Sequence, residues 1–125
     1  MKFTATKIFR FEMAHILTDS YSVECQQIHG HSYKLEVTIC SWILNEAGMV
    51  CDFKALKELV DPIIEGFDHN CVSEKTLGYN PTAENMCFHL FNTISDKVDL
   101  ILLNGTLSKL RLWETNSSYA TVERE

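Results

Sequence analysis

"HGHSYKLEVTICSWI", residues 29–43, is the stretch that decides the fold. His29, His31, Tyr33, Leu35, Val37 and Ile39 share one parity, and Ser32, Lys34, Glu36 and Thr38 share the other. Side chains of a strand alternate between faces, so this is a strand with an apolar face that begins with two imidazoles. "KIFRFEMAH", residues 7–15, repeats the pattern: Phe9, Phe11, Met13 and His15 on one face, Arg10 and Glu12 on the other. The polar segment between them, Thr18 to Gln27, reads as a loop.

Further along, "NEAG" at 45–48 is a turn signal, and "MVCDF" at 49–53 reads as a short returning strand. Asp52 is a good N-cap for a first helix, whose apolar positions are Phe53, Leu56, Leu59, Val60 and Ile63. Pro62 sits inside that pattern and is expected to kink or end the helix. "GFDHNC" at 66–71 reads as a loop or short helical turn. "NPTAEN" at 80–85 opens a second helix, with Pro81 and Thr82 as starting residues and Glu84 at the positive end of the dipole. Met86, Leu90, Phe91, Ile94 and Val98 form its apolar stripe. After the Asn104-Gly105 turn, residues 107–115 alternate again, with Leu110, Leu112 and Glu114 on one face. "YATVE", 119–123, is a last short strand. The order ββααββ predicts an α+β fold, an antiparallel sheet covered on one side by two helices.

Composition narrows the function classes. A chain of 125 residues, 46% hydrophobic and 22% charged, fits one soluble domain spanning 1–125. The net charge of −6 disfavours nucleic acid as a partner. No apolar run approaches a membrane span, and the charged, alternating N-terminus does not resemble a secretory signal, so a cytoplasmic location is expected. Five cysteines without a C-x-x-C pair argue against a disulfide framework and against a zinc ribbon. Cys40, Cys51, Cys71 and Cys87 are expected to pack as small hydrophobes, and His89 to be structural.

The chemistry concentrates in the histidines. His29 and His31 point to the same face, and His15 ends a second strand on its inward face. If the two strands are neighbours, three imidazoles converge, and three histidines with one open position make a catalytic zinc site. Cys25 stands four residues before His29. Its thiol is either a fourth ligand, which would close the site, or a nearby base of lowered pKa; spacing alone leaves both open.

Taken in order, "FEMAH" (11–15), "CQQIHGHSYKLEV" (25–37), "DFKALK" (52–57), "FDHN" (67–70), "NPTAEN" (80–85) and "WET" (113–115) resemble the 6-pyruvoyl-tetrahydropterin synthase family. The C-x-x-x-H-G-H spacing looks more like its bacterial branch, the 6-carboxy-tetrahydropterin synthases of queuosine biosynthesis. The resemblance implies a T-fold whose subunits close into barrels, as trimers that pair into hexamers. It implies Zn²⁺ on His15, His29 and His31, Cys25 as catalytic thiol, and Asp68 and His69 as proton-transfer partners. Being adjacent, those two are not expected to touch as a simple pair. It also implies Glu114 as the acid that holds the pterin ring and Thr82 as a residue lining the pterin pocket, with the complete site formed between subunits. The implied substrate is 7,8-dihydroneopterin triphosphate, and the implied product is the 6-carboxy compound. Related outcomes are the 6-pyruvoyl product, side-chain cleavage to 6-hydroxymethyl-dihydropterin, or a non-catalytic zinc or pterin-binding protein. Gln26, following Cys25, weighs against the hydroxymethyl branch. For the triphosphate, Lys7, Arg10, Lys34 and Lys54 are all available.

Overall fold

The computed structural model describes residues 1–18, 27–101 and 104–125. Two long strands dominate it: β1 (Phe3–Ile16) and β2 (His29–Ser41). They pair antiparallel over their whole length, from Phe3 opposite Ser41 to His15 opposite His29. Directly opposed residues share a face, so this register stacks the apolar parity of both strands. Phe11 faces Tyr33, with ring centroids 5.1 Å apart, and Phe9 faces Leu35. A one-residue slip would turn every one of these side chains to the polar face, so core burial itself fixes the register.

The helices α1 (Phe53–Glu65) and α3 (Ala83–Ile101) cover that face. Leu56, Leu59, Val60 and Ile64 of α1, with Met86, Leu90, Ile94 and Val98 of α3, pack on Phe9, Leu35, Val37 and Ile39. Strand β4 (Thr106–Thr115) adds Leu107, Leu110 and Leu112. Burying each such side chain contributes about 1.5–3 kcal/mol. Asp52 caps α1 as expected, accepting from the Lys54 N–H at 2.9 Å. The other sheet face stays polar, with Thr6 bonded to Thr38 and Ser32 to Glu12.

The expected α+β arrangement is present, and the structure extends it. The sheet has five strands, in the order β3 (Asn70–Ser73), β1, β2, β4 and β5 (Ser118–Glu123). Strand β5 pairs antiparallel with β4, while β3 pairs parallel with β1. The sheet is therefore mixed, because the segment expected to be a loop or turn enters a strand. His69 takes a left-handed backbone, φ 60°, and donates its N–H to the Glu12 carbonyl at 2.6 Å, which swings Asn70–Ser73 alongside Met13–Ile16. A one-turn helix α2 (Glu74–Leu77) follows and ends at Gly78, φ 82°.

Other expectations are corrected. β2 ends at Ser41, not at residue 43. "MVCDF" is not a strand: Asn45 accepts from the N–H groups of Ala47 and Met49 and ties residues 45–49 into a local loop. Val50 and Cys51 are buried as loop residues. Pro62 neither ends α1 nor shortens it below Glu65, since it lies on the exposed side of the last turn and deprives only the exposed Glu58 carbonyl of its donor. Cys40, Cys51 and Cys87 are buried, but Cys71 is exposed and so is no packing residue. No helix among the described residues is long and apolar enough to cross a membrane.

Candidate metal centre and its surroundings

The β1–β2 register carries His15 to His29, and the period of two places His31 beside them. Their ring centroids lie 4.3–5.1 Å apart. One nitrogen from each ring falls within 4.8 Å of the others, so the three form a group that could hold a metal ion.

Backbone carbonyls fix which nitrogens are available. His15 Nδ1 is 2.9 Å from the Pro81 carbonyl, and His29 Nδ1 is 2.8 Å from the Gln27 carbonyl. A carbonyl only accepts, so each Nδ1 carries the proton and each Nε2 carries a lone pair. Those two Nε2 atoms stand 2.8 Å apart. Two lone pairs at that distance repel unless a cation lies between them. His31 Nε2 is buried without a hydrogen-bond partner, a costly condition for a polar atom. Three imidazoles, two of them oriented through their far nitrogens, suit Zn²⁺ as donor set and as outer support. Burial lowers the basicity of His15, against the pull of the Pro81 carbonyl, and so favours the neutral, ligating form.

Several residues behind this cluster are not among the site candidates of the sequence reading. Tyr33, fully buried, sets its hydroxyl 3.3 Å from His15 Nδ1; burial, with the Glu114 charge, pushes its pKa well up, so it stays a phenol. Asn80 clamps the Thr18 backbone, accepting its N–H and donating to its carbonyl, and Asn85 donates to the Asn80 carbonyl. Together they hold the Pro81 carbonyl over His15. Val72 of β3 sits opposite His15 and is buried.

Glu114 is held beside the cluster, its carboxylate 3.5 Å from His31 Nε2. The β4–β5 register shifts between Trp113 and Thr115, leaving Glu114 without a partner. A bulge re-aims the side chain it carries. Glu114 also lines a small cleft of about 170 Å³ with Ala83, Glu84, Ser118 and Tyr119. Thr82 is not among those lining residues. Its hydroxyl accepts the Asn85 N–H at 3.1 Å and caps α3, a role its place in "NPTAEN" already suggests.

Asp68 and His69 do touch, contrary to expectation. His69 Nδ1 lies 3.0 Å from Asp68 Oδ1, because the left-handed backbone at His69 folds the ring back. Asp68 also accepts the Glu12 N–H at 2.8 Å, and this bond, more than His69, keeps its carboxyl below the usual range. Among the described residues no hydrogen bond or ion pair joins this pair to the three histidines. His69 lines an open cleft of about 410 Å³ with Glu12, Ala14, Gly30 and Ser32 of β1 and β2, and His31 of the cluster reaches the same cleft. Cys25 lies outside the described residues. His89 stacks on Tyr79 at 4.0 Å, in keeping with a structural role.

The family model described as 6-pyruvoyl tetrahydropterin synthase matches residues 4–125. A 6-carboxy-5,6,7,8-tetrahydropterin synthase of Haemophilus influenzae is 33% identical over 141 residues, covering 94% of this chain and 96% of that protein. One from Aquifex aeolicus is 30% identical, with each chain covered in full. Among solved structures, the 6-pyruvoyl tetrahydropterin synthase of Caenorhabditis elegans superposes with a TM-score of 0.81 at 21% identity, covering 100% of this chain and 97% of the other, a likeness of fold.

Proposed function

Because the chain belongs to the 6-pyruvoyl tetrahydropterin synthase family, we propose that it is the lyase that converts 7,8-dihydroneopterin triphosphate and water to 6-carboxy-5,6,7,8-tetrahydropterin, acetaldehyde and triphosphate. The observation that carries this reading is that relatives covered nearly end to end bear the 6-carboxy name. The donor set described above is the one such chemistry needs.

Roles follow from placement. His15, His29 and His31 hold Zn²⁺, which when bound supplies Lewis acidity toward the vicinal hydroxyls of the substrate side chain. Glu114 offers one carboxylate to the amino group and ring N–H that a pterin presents side by side, a bidentate contact beside His31. Thr82 supports that pocket from the start of α3, through the cap that positions Ala83 and Glu84. His69, its Nδ1 held by Asp68, keeps Nε2 for proton transfer. Cys25 takes the other proton as thiolate. Among the described residues no hydrogen bond or ion pair joins His69 to the histidine cluster; in this reading a second copy supplies the pair, and the working unit is a homo-oligomer, a trimer or hexamer. The pathway that fits this product is queuosine biosynthesis, in the cytoplasm.

The test is mass spectrometry of the product formed from dihydroneopterin triphosphate by metal-loaded protein. A 6-carboxy product with acetaldehyde supports the reading. A 6-pyruvoyl or 6-hydroxymethyl product overturns it, and so does absence of turnover at one zinc per chain.

A further inference from the structure

The polar face of the sheet carries a row that the sequence does not show as a unit. Arg10 stands directly opposite Lys34, Lys34 opposite Trp113, and Trp113 opposite Tyr119. All four share the face away from the helices. Two cations directly across an antiparallel pair repel and destabilise the sheet. Among the described residues neither Arg10 nor Lys34 has a carboxylate within ion-pair distance. Lys34 lies over the Trp113 ring, 4.3 Å from its centroid, and the indole N–H is committed to Glu36. Arg10 has no such partner. The chain as a whole carries −6, so a like-charge positive pair is not the product of a basic surface.

Both cations line a recess of about 230 Å³ that also holds Ser32, Trp113 and Asn116. Glu12 borders it too, with its carboxylate accepting the Ser32 hydroxyl proton. Glu12 and Ser32 line the neighbouring cleft as well, the one that contains His69. The cation pair and His69 thus lie along one groove.

We propose that Arg10 and Lys34 form a phosphoryl-anion subsite, which receives the triphosphate of the substrate whose side chain His69 serves. This rests on the proposed function for the identity of the anion, though not for the site itself. The chemistry demands such proximity. In the elimination, a base removes the proton on the side-chain carbon next to the one bearing triphosphate; the C–H electrons form the new double bond, and the C–O bond breaks with its pair leaving on triphosphate. Proton-transfer group and leaving group are then one carbon apart. Arg10 offers a planar fork for phosphoryl oxygens, and Lys34 a mobile point charge that leaves the indole to meet them. The other two cations considered for the role lie elsewhere: Lys7 sits over Phe9, and Lys54 opens α1.

Titration calorimetry of the zinc-loaded protein with tripolyphosphate, together with steady-state kinetics, tests the site. Arg10→Ala and Lys34→Ala are each expected to weaken tripolyphosphate by about 10-fold or more and to raise KM more than they lower kcat. Metal content should be unchanged, and Lys7→Ala and Lys54→Ala should bind like wild type. Urea midpoints of the two recess variants should equal or exceed wild type, since a repulsive pair is relieved. Unchanged tripolyphosphate affinity in both variants overturns the subsite even if the wild type makes the 6-carboxy product. Affinity lost in both, in a wild type that makes no such product, upholds the anion site and removes the assigned reaction instead. A lowered urea midpoint with unchanged affinity would make the row structural and also overturns the proposal.

Discussion

His15 and His29 should fail differently when truncated, although both are expected to hold metal. His15 is fully buried and bonded to the Pro81 carbonyl. His15→Ala leaves a cavity and an unpaired buried acceptor, so the metal-free protein should lose about 2–4 kcal/mol. His29 is half-buried, and apart from the neighbouring imidazoles its bond is to the Gln27 carbonyl two residues away, so His29→Ala should cost the metal-free protein less than about 1 kcal/mol. Urea denaturation after chelation measures the difference, and metal analysis should find both variants depleted. Full zinc in His29→Ala would remove it from the ligand set. Asp68 supplies a pH-dependent case. Its carboxyl is held below the usual range by the Glu12 N–H first and by His69 after it. Its folded pKa is lower than its unfolded one, so the unfolded chain binds more protons between the two. The stability it contributes is complete above the unfolded pKa and is lost as pH falls through the folded pKa. Urea midpoints from pH 6 to pH 3 should therefore show wild type and Asp68→Asn converging on acidification. A gap that stays constant would mean that the Asp68 charge does not stabilise the fold.

At the level of elements, the contact between the start of β4 and the edge of β2 is the most sharply constrained. A Cβ at Gly105 would stand 2.5 Å from Cγ2 of Ile39, which is itself fully buried. Gly105→Ala should cost about 1–3 kcal/mol through overpacking, read as a lowered urea midpoint with zinc content intact. A midpoint equal to wild type would mean that the β2–β4 corner yields without strain. The same elements show what the amino-acid sequence makes legible. β1, β2 and β4 are readable because each is long enough for period two to repeat, and their parity alone carries His15, His29 and His31 to one face. β3 is not readable: four residues hold too little alternation, and its pairing depends on the backbone turn at His69. "MVCDF" misleads because a buried apolar loop and a short buried strand have the same composition. Within the candidate site, the Pro81 and Gln27 carbonyls that set the imidazole tautomers leave no side-chain signature. The Arg10–Lys34 opposition requires a register that no single stretch encodes.

For the molecule as a whole, the separation of the candidate groups decides how activity must be assembled. The three histidines and Glu114 converge in one chain, while among the described residues no hydrogen bond or ion pair joins Asp68 and His69 to them, and His69 meets His31 only across the cleft that both line. If one chain supplies the metal and another the proton-transfer pair, then His29→Ala and His69→Ala are each inactive alone for different reasons. Mixed by unfolding and refolding together, they should recover activity. With random association, about a quarter of the sites draw an intact histidine cluster from one chain and an intact His69 from another. Activity of the mixture should therefore rise from background toward about a quarter of the wild-type value per chain. The same variants assayed after mixing without refolding serve as the control for exchange. Size-exclusion chromatography with light scattering on the refolded mixture establishes that oligomers have re-formed. Oligomers that stay inactive would mean that both sets of residues act within a single chain. In that case the cleft that His31 and His69 share within one chain, and not a second copy, brings both to the same substrate.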